Sequence, residues 1–146
     1  MERALAIFAT LVVGALIAFQ PPVNSQLAKH MTLLSAAFVS TLISALVLGL
    51  LMVAAGEAGN VPRVRNVSWI YLTGGLMGAA LVSVSLLTVR TLGAGGVVAA
   101  TVCSQVIVSA LLDRAGVLGL DQLGLTPLRL LGFGLLLLGT FLVVLR

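Results

Sequence analysis

Gln20 and Asn24 are the first residues in this chain with the means to bind something. They stand four apart around Pro21 and Pro22, inside an otherwise apolar run over residues 4–26. That spacing sets both carboxamides on one side of a helix, and each can donate and accept hydrogen bonds. Each proline removes a backbone donor and crowds the preceding turn, so the helix is expected to kink or break there. Backbone opened in this way cannot face lipid and must face protein or a wet cavity. The stretch reads as a binding element within a membrane span. The structural alternative is a kinked span whose amides only hold helices together.

A second group of polar residues is scattered through later apolar runs. Ser40 lies in the run over 32–55, and Trp69 opens the run over 68–89. Ser104, Gln105 and Ser109 interrupt the run over 97–112, and Asp113 ends it. A glutamine at bilayer depth needs partners, and polar groups there often mark a pathway. Each residue also has a purely structural reading. Serines bond to carbonyls one turn back, tryptophans anchor at the membrane surface, and Asp113 can pair with Arg129 across a loop. Hydroxyls and amides together suit a neutral or zwitterionic cargo better than a lipophilic dication. Asp113 is the candidate for ion coupling, because amides do not ionise.

These groups are held in a chain that composition assigns to the membrane. Hydrophobic residues make up 60% of it, charged residues only 8%, and the mean hydropathy is +1.24. A soluble domain carries roughly 25% charged residues. The formal net charge of +4 comes from basic residues spread singly, apart from Arg63 and Arg65. They bracket spans rather than form a nucleic-acid patch. His30 and Cys103 are the sole residues of their types. The single cysteine allows no intrachain disulfide, and the acids are scattered. No metal site, cofactor or hydrolytic triad is therefore expected, and an enzyme is not. Gly93, Gly95 and Gly96 lack the spacing, the preceding strand and the Gly-Lys-Ser/Thr of a phosphate loop.

Five spans follow, at 4–28, 32–55, 68–89, 97–112 and 126–146, making one all-α transmembrane domain over 1–146. The first apolar run is longer than a signal-peptide core and reads as a retained span. Small residues recur every fourth position at Ala37, Thr41, Ala45 and Gly49, and again at Gly75, Ala79 and Ser83, which lets backbones approach closely. Residues 56–67 read as a polar loop, 90–96 as a tight glycine-rich turn, and 115–125 as an interfacial segment carrying Asp121. Thr126 and Pro127 give a clear helix start. Five spans place the termini on opposite sides. Arg3, Arg63, Arg65, Arg114 and Arg129 then face Lys29, Arg90 and Arg146, a small bias that permits insertion both ways.

The pattern Gln20-Pro-x-x-Asn24, Ser40, Trp69 with Gly74-Gly75-x-x-Gly78, Arg90-x-Leu-Gly93-Ala, Gln105-x-x-x-Ser109-x-x-x-Asp113-x-x-Gly116 and Arg129-x-x-Gly132 resembles the YdcZ-type branch of the drug/metabolite transporter superfamily. The resemblance runs the length of the chain. It implies a five-span protein of the bacterial inner membrane, equal to half of an inverted-repeat transporter. It also implies assembly as an antiparallel dimer, with a second copy or with a related five-span chain. The related small multidrug exporters exchange protons at a glutamate in the first span, and this chain has no acid inside that span. The expected function is alternating-access transport of a polar metabolite or drug. A non-transporting membrane scaffold and a channel are the alternatives.

Overall fold

The computed structural model describes residues 3–116, 122 and 124–145, and every regular element among them is helical. Helix α1 spans Arg3–Leu27, α2 spans Leu33–Ala54, α3 spans Thr73–Ala115 and α4 spans Pro127–Val144. All four are long and apolar enough to cross a membrane. Glu2, Arg146 and residues 117–121 of the expected interfacial segment lie outside the described residues.

Helix α3 accounts for two of the five expected spans. Its 43 residues would reach about 65 Å, roughly twice a hydrocarbon core. Helical geometry fails inside it at Gly93, with φ 70° and ψ 168°. The turn expected over 90–96 is therefore reduced to one residue. Arg90, Thr91, Leu92 and Ala94 are acceptable helix formers and stay helical. Only Gly93 takes a backbone region closed to residues with a Cβ. Residues 3–90 form one compact unit and residues 91–145 another.

In the first unit α1 and α2 make a helical hairpin through the turn at 28–32. Thr32 caps α2, its hydroxyl accepting from the Ser35 amide at 3.3 Å. The other end of α2 closes in a Schellman arrangement. Gly56, at φ 73°, donates to the Val53 carbonyl, and Glu57 donates to the Met52 carbonyl. The expected polar loop then coils into a 3-10 helix over Ala58–Asn66, followed by a short one over Trp69–Leu72. The packed centre of the unit is small: Ala36, Ala37 and Leu86, with Leu27, Ala28, Leu33 and Val82 around them. Two alanines in succession let the leucine sit against backbone. Thr41 and Ala45 of the expected stripe stay exposed, so this unit buries only the Ala37 end of it.

In the second unit, residues 94–115 precede α4. Thr126 and Pro127 start α4 as expected, with the Thr126 hydroxyl accepting from the Arg129 amide at 3.3 Å. Most large apolar side chains in both units are exposed, as in a protein whose solvent is lipid.

Candidate functional site

Helix α1 continues through Pro21 and Pro22 without interruption. The two prolines have no N–H, so the carbonyls of Ile17 and Ala18 lose their usual donors four residues on. They lie near the middle of the span, where water is scarce. Just beyond the prolines is Asn24. It is 5% exposed, the one buried polar side chain among the described residues, and its Nδ2 has no hydrogen-bond partner. An unpaired buried amide costs about 1–3 kcal/mol. Pro21 is buried one turn earlier on the same face, and Ala28 packs one turn later against the Leu86 cluster. Gln20 is half-buried on this side of α1. The site residues expected on the first span thus share one helix face, in a stretch where two carbonyls lose their usual donors and the Asn24 amide nitrogen lacks a partner.

The end of α1 is closed from an unexpected direction. Ala28, Lys29 and His30 donate to the carbonyls of Asn24, Gln26 and Leu27, which skips Ser25. Arg90 fills that gap. Its Nη2 donates to the Ser25 carbonyl at 3.4 Å and its Nε to Ser25 Oγ at 3.3 Å. A cation at a helix C-terminus satisfies an orphan carbonyl and opposes the negative end of the helix dipole. Arg90 has an exposed side chain and its sequence motif signalled only a turn. The 65-residue separation hides the contact from any local pattern.

Ser40 is half-buried, one turn after the fully buried Ala36 and on the same face of α2. It lies as many residues past His30 as Gln20 lies before it, so the hairpin sets the two at similar depth. The Ser40 carbonyl accepts from Ser44 Oγ at 3.1 Å. Trp69 is 75% exposed and sits at the far end of the unit, about 30 Å of helix from Arg90. Within the unit it does not meet Gln20 or Asn24.

In the second unit the expected site residues are largely satisfied locally. Ser104 Oγ donates to the Thr101 carbonyl and Ser109 Oγ to the Val106 carbonyl, each at 2.9 Å. Both serines are exposed, as is Gln105, whose amide has no partner among the described residues. Asp113 is paired with Arg129, Oδ2 to Nη2 at 3.0 Å. A shallow groove lined by Ala100, Leu137, Thr140, Phe141, Val144 and Leu145 is almost wholly apolar. Its one hydroxyl, on Thr140, points to the Ala99 carbonyl at 3.4 Å. It offers a polar cargo nothing. Among the described residues no group of three or more His, Cys, Asp or Glu is placed to hold a metal ion.

A helical, lipid-facing chain with unsatisfied polar groups on a proline-bearing span has the chemistry of a membrane carrier. A family model described as "Putative inner membrane exporter, YdcZ" matches residues 5–142. No curated protein and no solved structure matches the chain. With nearly its whole length matched, the chain belongs to the YdcZ family of inner-membrane exporters, and it is a multi-pass inner-membrane transport protein rather than a soluble one.

Proposed function

We propose that the protein moves a small polar molecule across the inner membrane by alternating access, as an antiparallel dimer of five-span chains. The observation that carries this reading is the Asn24 amide, buried and without a partner on a span whose prolines also free two carbonyls. A scaffold has no use for unpaired polar groups in its interior, and packing would have replaced them. A carrier uses them, because its cargo completes the hydrogen bonds in one state and leaves in the next. Gln20, Asn24 and Ser40 line the path within the first unit, and in the second Gln105 carries an amide with no partner among the described residues. Ser104 and Ser109 offer hydroxyl lone pairs while donating to their own helix. Asp113 is the group available for ion coupling, once released from Arg129.

Dimerisation supplies what one chain lacks. Five spans are half of the usual inverted-repeat carrier, and an odd span number makes a second, oppositely inserted copy the missing repeat. In an antiparallel pair, the Trp69 end of one copy lies at the same membrane face as the Asn24 end of the other. Trp69 then joins a site that its own chain does not bring it to. The exposed small residues of α2 give the copies a surface on which backbones can meet.

Membrane orientation tests the dimer directly. A cysteine is placed at position 146 in a Cys103→Ser background, and intact cells are treated with an impermeant maleimide before and after permeabilisation. Labelling of about half the molecules from outside is the expected result, given the weak charge bias. Labelling from a single side removes the antiparallel homodimer.

A further inference from the structure

We propose that Arg90 and Asn24 form an oxyanion subsite at the end of α1, which takes the carboxylate of the transported molecule. The inference rests on the transporter reading only for the ligand being cargo. The subsite itself rests on an imbalance of donors and acceptors. Arg90 spends one edge of its guanidinium, Nε and Nη2, on Ser25. The opposite edge, formed by Nη1 and the second Nη2 hydrogen, has no partner among the described residues. That end-on fork is the geometry that matches a carboxylate with two parallel hydrogen bonds. Ser25 fixes the side chain and so fixes where the fork points.

Asn24 adds an independent observation. It precedes Ser25 on α1, and its Nδ2 is a second donor with nothing to donate to. Its face of the helix carries Ala28, which packs against the cluster of Ala36, Ala37 and Leu86, and Leu86 lies one turn before Arg90. Both unsatisfied groups are donors, and Ser25, which holds Arg90, directly follows Asn24 on α1. Among the described residues of the unit no carboxylate pairs with them. Its one described acid, Glu57, follows the opposite end of α2, about 30 Å of helix away. Asp113 in the other unit is engaged with Arg129. Lys29 and His30 are exposed at the same end, and the lysine draws anions towards it. The ligand this end lacks is an acceptor with negative charge.

The test is a thermal unfolding series on the purified full-length protein in a neutral maltoside detergent. Sodium acetate is titrated against sodium chloride at matched ionic strength, with inorganic phosphate and added phosphatidylglycerol as separate arms. For the wild type, a saturable rise in Tm of about 3 °C with acetate is expected. Asn24→Asp places a carboxylate one residue before the Ser25 that holds the fork. It should raise Tm without any ligand and abolish the acetate response. Arg90→Lys keeps a cation near Ser25 but loses the fork, so acetate binding should weaken about tenfold while the protein stays folded. An Asn24→Asp protein with lowered Tm and an intact acetate response would overturn the subsite, as would a wild type indifferent to acetate. A response to phosphatidylglycerol alone would overturn the cargo assignment, because the oxyanion would then be a lipid headgroup. Acetate binding without flux of any carboxylate would count against transport and leave the subsite standing.

Discussion

The two units of the chain treat their polar groups in opposite ways. In the second, the candidate hydroxyls and the candidate acid are occupied within their own unit, and Gln105 alone of the nominated residues is not. Ser104 and Ser109 bond to their own helix, Asp113 holds Arg129, and Thr140 turns to Ala99. In the first, Asn24 Nδ2 is buried and unpaired, two carbonyls lose their donors to proline, and Arg90 keeps a free fork. What separates the units is burial: the unpaired amide of the first, Asn24, is buried, whereas that of the second, Gln105, is exposed. A satisfied group holds structure, whereas an unsatisfied one has a stake in what binds.

The largest expected effect is at Asn24. Asn24→Leu should cut flux of any cargo the wild type carries by more than about tenfold, yet stabilise the protein by about 1 kcal/mol, since it removes an unpaired buried amide. Proteoliposome flux beside a denaturation curve checks both signs. Lost activity accompanied by lost stability would break the comparison.

Gly93→Ala comes next. A Cβ there meets no atom within 4 Å, so the cost is backbone strain alone, about 1–3 kcal/mol. Unfolding midpoints of the purified protein report it, and a neutral result would mean that the residue leaves its positive φ. Asp113→Asn should cost about 1 kcal/mol by loosening a half-exposed ion pair. The reversed pair, Asp113→Arg with Arg129→Asp, should recover part of it in a double-mutant cycle. If Asp113→Asn instead abolished pH-driven transport at unchanged stability, Asp113 would belong with the open groups. The smallest effect belongs to Ser104→Ala and Ser109→Ala, within about 0.5 kcal/mol in stability, because each hydroxyl only returns to its own helix. A large loss of flux in either would make the second unit part of the lining.

Much of this was legible in the residues. Apolar length set out the spans, Thr126 and Pro127 marked the start of α4, and the Asp113–Arg129 pairing followed from two charges across one loop. Local signals also drew attention to Asn24, whose amide nitrogen is buried and unpaired, since prolines and amides act within a turn or two. The turn at 90–96 was overdrawn because three glycines suggest more irregularity than one positive φ needs. The polar run at 56–67 gave no period and so hid its 3-10 winding. Arg90 was seen as a bracket for a span and not as the cap of α1. That contact depends on how helices meet, and no spacing within a single stretch encodes it.

Gly93 has one further consequence, which concerns handedness. Its φ of 70° with ψ of 168° is the mirror image of an ordinary extended conformation. An L-residue is strained there, but a D-residue would be in its preferred basin. Semisynthetic protein with D-alanine at position 93 should thus be more stable than the L-alanine variant, because its methyl group narrows the unfolded ensemble without the positive-φ strain. L-alanine, with the same atoms, should be the destabilised one. At this single α-carbon, the fold discriminates by chirality rather than by size.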